Sequence, residues 1–341
     1  MTSNNLISKT LDELRQVAAE VNLKPFAAQQ IAQWLYAKRA ADIMQMTNIS
    51  LTARKQLAQK YAIEWQQPTA TAVSTDGTRK YIFPTTHGTV ETVFIPEGDR
   101  ATLCVSIQVG CKMNCTFCMT GRQGWSGNLT AAEILNQILM VPESEQLTNI
   151  VFMGMGEPFD NTDALLRAIN VITSPWGLGW SPHRITVSTV GLVPGMTRFL
   201  EACDCHLAVS LHNPLPKERL SIMPIEKVFP LERVLATLRR FDFTHQRRLS
   251  FEYIVFEGLN NMPRHLTQLV HLLHDIPCRV NLIRWHALPD IDLHSPDEAG
   301  MEAVRNYLNN NGIVCTIRRS RGEDIAAACG LLCSEQKKKN A

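Results

Sequence analysis

The sequence predicts an α/β fold. A strand-like segment followed by a helix-like one repeats along residues 97–330, short helices fill the first sixty-odd residues, and a hairpin signal joins the two regions. The 341 residues suffice for one large domain with a smaller attachment. With 45% hydrophobic and 19% charged residues, the composition is that of a globular chain and excludes a disordered one. No stretch reaches the roughly eighteen unbroken apolar residues of a membrane span. The opening MTSNNLISKTLDELRQ lacks the basic and apolar regions of a secretory signal, so a cytoplasmic protein is expected. The net charge of +2 excludes a polycation but not a local phosphate-binding patch.

Thr10 and Glu13 have capping-box spacing, and Leu11, Leu14, Ala18 and Val21 follow at helical intervals. After Pro25, Phe26, Ile31, Trp34 and Leu35 mark a second helix, and 51–61 a third. Through residue 90, ten Lys or Arg stand against six acids, which suits an RNA-facing patch or a solvated helical surface. Near residue 73 the period becomes two. Asp76-Gly77 signals a hairpin flanked by 78–83, with a further strand over 90–96.

Seven strands are then predicted over 103–109, 149–155, 184–189, 206–211, 249–256, 279–285 and 314–319. Helices are predicted between them over 131–140, 163–172, 193–203, 231–241, 264–274 and 298–310. Such alternation implies a parallel sheet with right-handed crossovers, either an open doubly wound sheet or an incomplete α/β barrel. The resulting division is 1–70 helical, 71–96 a β-hairpin connection, 97–330 the core and 331–341 a tail, in which Lys337-Lys338-Lys339 reads as a solvated end.

Ten cysteines without an export signal point to metal binding or thiol chemistry rather than a disulfide framework. Cys111, Cys115 and Cys118 stand at C-x3-C-x2-C spacing just beyond the first core strand. A structural zinc site wants four ligands and no fourth follows at finger spacing, whereas three thiolates suit a 4Fe–4S cluster with one iron left open.

That triplet, with Phe117 before its last cysteine, resembles the signature of the radical S-adenosylmethionine (SAM) superfamily. Further motifs narrow the likeness: Thr102-Leu103-Cys104-Val105-Ser106, Met153-Gly154-Met155-Gly156-Glu157-Pro158, Ser188-Thr189-Val190-Gly191, Ser210-Leu211-His212, and Arg321-Gly322-Glu323-Asp324-Ile325 leading to Ala327-Ala328-Cys329-Gly330. Together they resemble the RlmN/Cfr family of RNA adenine methyltransferases along nearly the whole chain, with RlmN the nearer branch.

The resemblance implies an incomplete (β/α)6-type barrel with a helical N-terminal accessory domain. It implies a 4Fe–4S cluster on Cys111, Cys115 and Cys118, and SAM held by Gly156, Glu157, Ser188, Ser210, Leu211, His212 and His286. The implied reaction methylates C2 of adenosine 2503 in 23S rRNA and of adenosine 37 in tRNA. Cys329 would carry the methyl group, a deoxyadenosyl radical would activate it, Cys104 would release the product as a disulfide, and Glu91 would take the C2 proton. A small flavodoxin-like donor and a monomer are expected. At one position the chain departs from the family: Asn281-Leu282-Ile283-Arg284-Trp285-His286 places His286 where the family has asparagine, and imidazole cannot donate and accept from adjacent atoms as an amide does.

The residues themselves leave some readings open. Cys104 alternates with Leu103 and Val105 and so faces Thr102 and Ser106, as a cavity thiol would. Small neighbours flank Cys329, while a lone cysteine is otherwise a buried small hydrophobe. Glu91 alternates in phase with Val93 and Ile95, suiting a desolvated base or a charge guarding an edge strand. Basic clusters stand at Arg239-Arg240, Arg247-Arg248 and Arg318-Arg319-Ser320-Arg321, and the last, a few residues before Cys329, suits phosphate binding around an extruded adenosine, or plain surface. Two alternatives stand beside C2 methylation: C8 methylation of the same ribosomal base, and an iron–sulfur RNA-binding or redox-sensing protein without turnover.

Overall fold

The computed structural model describes residues 4–245, 247–288 and 290–333; the predicted lysine tail lies outside them. Three short helices open the chain: α1 (Leu11–Ala19), α2 (Ala27–Ala32), prolonged by a π-turn over Gln33–Ala37, and α3 (Leu51–Lys60). The Thr10–Glu13 capping box forms as read, and Leu14, Val17 and Ala18 bury one face of α1. This region docks on the core through Asn136, whose side chain exchanges two hydrogen bonds of 2.8 Å with the Gln66 backbone, and through Arg167–Glu13.

Four antiparallel-paired strands follow: β1 (Ala70–Val73), β2 (Arg79–Thr85), β3 (Gly88–Glu97) and β4 (Arg100–Cys104). The predicted strand 103–109 is broken. It ends at Cys104 and resumes as β5 (Gln108–Gly110), paired with β6 (Trp125–Asn128) across the short helix α4 (Met119–Arg122). Between the two, Ser106 turns its backbone N–H to the Gln137 side chain and its hydroxyl to the Glu91 carbonyl, so these groups leave the ladder.

The alternation then runs α5 (Ala131–Met140), β7 (Asn149–Phe152), α6 (Thr162–Thr173), β8 (Ile185–Thr189), α7 (Val193–Ala202), β9 (His206–Ser210), α8 (Pro216–Ile222), α9 (Leu231–Leu238), β10 (Leu249–Val255), α10 (Pro263–Leu273), β11 (Arg279–Arg284), α11 (Glu298–Asn310) and β12 (Val314–Ile317). All the strands among these belong to one ten-stranded sheet ordered β1-β2-β3-β4-β7-β8-β9-β10-β11-β12, parallel from β4 onward. The order never reverses, as it would in a doubly wound sheet. The strands therefore follow the sequence of a barrel wall that does not close, since β12 has no pairing with β1 among the described residues.

The two faces of this wall differ. Outward residues such as Leu103, Ile150, Val187, Leu207, Phe251 and Leu282 are completely buried beneath the helices. Inward residues, among them Thr102, Thr186, Ser188, Ser250, Asn281 and Thr316, are small or polar and at least partly open, leaving a trough. Among the described residues, no helix is long and apolar enough to cross a membrane.

Candidate active site

The cysteine triplet sits in the loop from β5 to α4, at the C-terminal ends of the parallel strands. Gly110 (φ 78°) opens it at a point where a Cβ would strike the Gly124 carbonyl, and Asn114 turns it in the left-handed region. The Cys111 N–H donates to Gly124 O (3.0 Å), Cys118 N–H to Cys115 O (3.2 Å) and Thr116 N–H to Ile222 O (3.1 Å). All three thiols are free. Burial raises Cys111 to about 12 and Cys115 well above the thiol range, and each thiol lies within the electrostatic reach of the other two. Thiols so buried ionise only beside a cationic centre. Among the described residues no group of three His, Cys, Asp or Glu closes around a single ion. Three cysteine thiols in one loop are the donor set of a 4Fe–4S cluster with one iron left open.

Arg219, which carries no motif in the sequence, organises the surroundings. It is fully buried, pairs with Glu226, and donates to the carbonyls of Leu211 (3.0 Å), Val190 (3.1 Å) and Ser210 (3.1 Å), tying the ends of β8 and β9 beside Cys115. His212 has left-handed φ (55°), and its Nδ1 accepts from the Ile254 N–H at 3.0 Å. Burial and then Arg219 depress its pKa to about 3, so the ring is neutral, and its centroid lies 4.8 Å from that of Phe117, edge to face.

Gly154 and Gly156 are glycines because of their neighbours: a Cβ would lie 2.7 Å from Ser106 Oγ at the first and 2.5 Å from the Gln108 side chain at the second, where φ is 97°. Glu157 follows, buried, with Oε1 accepting from Thr189 Oγ1 (2.7 Å) and the Phe159 N–H (3.1 Å) and Oε2 from the Val190 N–H (2.9 Å). Burial outweighs these donors and lifts its pKa to about 7. Ser188 and Ser210 stand partly open toward the trough, and Leu211 is buried beneath them.

A cavity of about 530 Å³ occupies the trough nearer the N-terminal ends of the strands, lined among others by Thr102, Val151, Thr186, Asn281, His286 and Cys329. Cys329 is accessible, but to the cavity's solvent: protein surrounds it, and burial raises its pKa. Cys104 is pushed up to about 12 by burial and then by Cys329, and Cys329 in turn feels Cys118 of the triplet. The two cysteines that the sequence left 225 positions apart thus come within electrostatic reach of each other beside the cluster loop. Arg318 lies among them, its Nε 3.6 Å from Glu252 Oε2, while Glu252 Oε1 accepts from Ser250 (3.1 Å) and Asn281 (2.8 Å).

The segment carrying Cys329 is a strap laid over the trough. The hairpin turn at Asp76 fastens one end: Asp76 accepts from the Gly322 N–H (3.0 Å), and Asp324 from Ser74 Oγ (2.6 Å) and the Thr75 N–H (3.1 Å). The cluster loop holds the other end, where Met119 N–H donates to Gly330 O (2.8 Å) and Thr120 Oγ1 to Leu332 O (2.6 Å). Gly322, Ala326 and Gly330 all have positive φ, which permits the tight path.

Glu91 faces inward with Val93, whose register partner is Cys104, as its phase required. It is buried, as a desolvated carboxylate would be, and it is also partnered: Lys80 Nζ lies 2.9 Å from Oε1 and the Cys333 N–H donates to Oε2 at 2.9 Å. His286 departs from the expected group. It lines the cavity rather than the Glu157 cluster, with Nε2 3.1 Å from Ser320 Oγ and Nδ1 3.7 Å from Glu323. Of the basic clusters, Arg247 is buried against the Leu200 and Cys203 carbonyls and Arg239 pairs with Asp275, whereas Arg248, Arg318, Arg319 and Arg321 line the cavity.

Comparison with known proteins gives a consistent picture. The Radical SAM superfamily model matches residues 105–270, and that of the ribosomal RNA large subunit methyltransferase N-terminal domain matches residues 4–63. A probable dual-specificity RNA methyltransferase RlmN of Porphyromonas gingivalis is 56% identical over 328 residues, covering 96% of each chain. The dual-specificity RNA methyltransferase RlmN of Marinobacter nauticus is 40% identical, covering 96% of this chain and 92% of its own. The crystal structure of a radical SAM methyltransferase from Sphaerobacter thermophilus superposes with a TM-score of 0.89 at 37% identity, covering 96% of this chain and 98% of the other. The two named relatives carry the RlmN name, which disfavours the C8-methylating alternative. The chain belongs to the RlmN family of radical SAM RNA methyltransferases.

Proposed function

We propose that the protein methylates C2 of adenosine in 23S rRNA and in tRNA, at adenosines 2503 and 37 respectively, through a methyl-cysteine on Cys329. The observation that carries this reading is that Cys329 lines the cavity within electrostatic reach both of Cys104, buried on β4, and of Cys118 in the cysteine triplet. Cys111, Cys115 and Cys118 would hold a 4Fe–4S cluster, and Gly156, Glu157, Ser188, Ser210, Leu211 and His212 would surround SAM. The bound pair supplies homolytic chemistry, which an adenine C2 requires because that carbon is not a nucleophile.

The chain's own groups do the rest. Cys329 accepts the methyl group and presents it to the base. Cys104, at the end of β4, attacks the Cys329 sulfur as a thiolate: the S–S bond forms as the bond from that sulfur to the transferred carbon breaks, the electron pair stays on the carbon, and its protonation completes the methyl group. Glu91 takes the C2 proton, with Lys80 and the Cys333 N–H fixing its carboxylate. His286, bonded toward Ser320, positions the strap rather than SAM in this reading. A cytoplasmic monomer reduced by a small flavodoxin-like donor completes the proposal.

Anaerobic incubation of reconstituted protein with SAM, a reductant and each RNA, followed by nucleoside mass spectrometry, tests it. 2-Methyladenosine is the expected product. 8-Methyladenosine, or no methyladenosine from protein that cleaves SAM, overturns it.

A further inference from the structure

The cavity's outer rim, at the N-terminal ends of the strands and away from the triplet, has a charge that the proposed chemistry does not use. Six arginines line the cavity against a single lining carboxylate, Glu97. Arg321 is paired with that carboxylate (3.7 Å) and Arg318 with Glu252. Arg100, Arg248, Arg279 and Arg319 are exposed and make no ion pair among the described residues. The rim is far more cationic than the chain as a whole, whose net charge is +2.

Placement matters as much as number. Arg100 opens β4 on one side of the mouth, and Arg248 and Arg279 precede and open β10 and β11 on the other; Arg319, beyond the C-terminal end of β12, lies at the far end of the strands. The cations thus stand on facing walls, with Cys329 at the inner end between them. His206, at the start of β9 between these walls, reports the field: burial, then Arg248, His183 and Arg279, depress its pKa to about 4. In the N-terminal helical region, the other basic one, Arg15 pairs with Asp12 and Lys60 with Glu20, and its cations lie outside the cavity lining.

We infer that this rim is the RNA portal: a single-stranded loop crosses the mouth with its phosphates on Arg100 at one wall and on Arg248 and Arg279 at the other, and the adenosine between them turns inward to Cys329. Phosphates on both sides of one extruded nucleotide need cations on two walls, and an unpaired guanidinium is the side chain that grips a phosphate with two parallel donors. The inference rests on the proposed function for its substrate, but it concerns entry and grip rather than chemistry.

The test uses full-length reconstituted protein and a stem-loop RNA with the target adenosine in its loop. Arg248→Gln with Arg279→Gln, and separately Arg100→Gln, are compared with Arg198→Gln on the outer face of α7, where Arg198 pairs with Asp163. Each rim variant should raise the KM for RNA about tenfold and hold kcat at saturating RNA within about twofold. Each should also flatten the dependence of log affinity on log salt, by about 0.7 for every phosphate that the variant no longer neutralises. Arg248→Lys with Arg279→Lys keeps the charge but not the two parallel donors, so it should restore the salt dependence and only part of the affinity. If the rim variants bind and turn over RNA like Arg198→Gln, the portal is elsewhere. Binding by fluorescence anisotropy separates this from the reaction itself: parent protein that binds the stem-loop through the rim but yields no 2-methyladenosine would sink the proposed function and leave the portal standing.

Discussion

The two ends of the trough are built on opposite principles. At the C-terminal ends of the strands, polar groups are buried and already partnered: Glu157 takes three donors and Arg219 donates to three carbonyls besides its pairing with Glu226. At the N-terminal rim three arginines, Arg100, Arg248 and Arg279, face solvent with no ion pair among the described residues. The first arrangement spends its interactions on folding and presents a fixed surface, as catalysis by preorganised groups demands. The second contributes little to folding and keeps its charge for a ligand. Substitutions should therefore divide cleanly, with loss of stability at one end and loss of affinity at the other, and Cys329 between them.

The largest expected effect lies at that midpoint. Cys329→Ala should abolish methylation, a loss of about a thousandfold or more, because the carbon in transit would have no carrier. Cys329 lines the cavity and supports no core residue, so the melting temperature should shift little. Methylation of RNA by the variant at the parent's rate would break the comparison at its centre.

Next comes the partnered end. Arg219→Met removes one member of a buried ion pair and three carbonyl partners, leaving Glu226 buried with only the Leu231 N–H. A loss of about 3–5 kcal/mol in denaturant unfolding is expected. The release of the β8 and β9 ends should also lower the iron content of the reconstituted protein, read from its visible absorption. An Arg219→Met protein as stable as the parent would show that the strand ends hold themselves in place.

Much of this was legible because it is written in one dimension. The triplet is a local spacing, the strands alternate with helices at regular intervals, and Glu91 declared its inward face through its phase with Val93 and Ile95. The hairpin at Asp76-Gly77 was readable too, but not that its turn would fasten the strap of Cys329, since Asp76 and Gly322 are 246 positions apart. Arg219 gave no signal for the same reason: its carbonyl partners are backbone groups of strand ends, which no residue type marks. Lys80 beside Glu91 and Arg318 beside Glu252 are pairs across strands, whose meaning depends on register. The break between Cys104 and Gln108 was hidden because Ser106 diverts its bonds to Gln137 and to the Glu91 backbone, and both partners are distant in sequence.

A smaller effect concerns Glu252, which lies between the two regimes. Its Oε2 is buried and has no hydrogen bond, with the Arg318 guanidinium at 3.6 Å as its charged neighbour. Glu252→Gln preserves shape but removes the charge that holds Arg318 between the cysteines. The expected outcome is a drop in kcat of about tenfold with the KM for RNA unchanged. A rise in KM instead would assign Arg318 to the rim.

The smallest expected effect is acid release of the strap. Asp76 is held well below the ordinary carboxylate range: burial opposes this, but hydrogen bonds from Thr78, Gly322 and Ser74 outweigh it. Asp324 is lowered by Ser74 and Thr75. Both pKa values fall when the strap is docked, so the undocked state binds more protons, and docking gains stability as pH rises through this range. The contribution is complete above about pH 5 and disappears as pH falls below about 4, toward the docked pKa values. Amide exchange over the strap should therefore accelerate at about pH 3 relative to about pH 6, after correction for intrinsic rates, while β8 and β9 keep their protection. Asp76→Asn keeps an acceptor without the charge, so it should flatten this pH dependence and loosen the strap by about 1 kcal/mol at neutral pH. Exchange that accelerates equally in the strap and in the strand ends would mean that acid opens the whole trough, and that the Asp76 turn is not what fastens Cys329 in place.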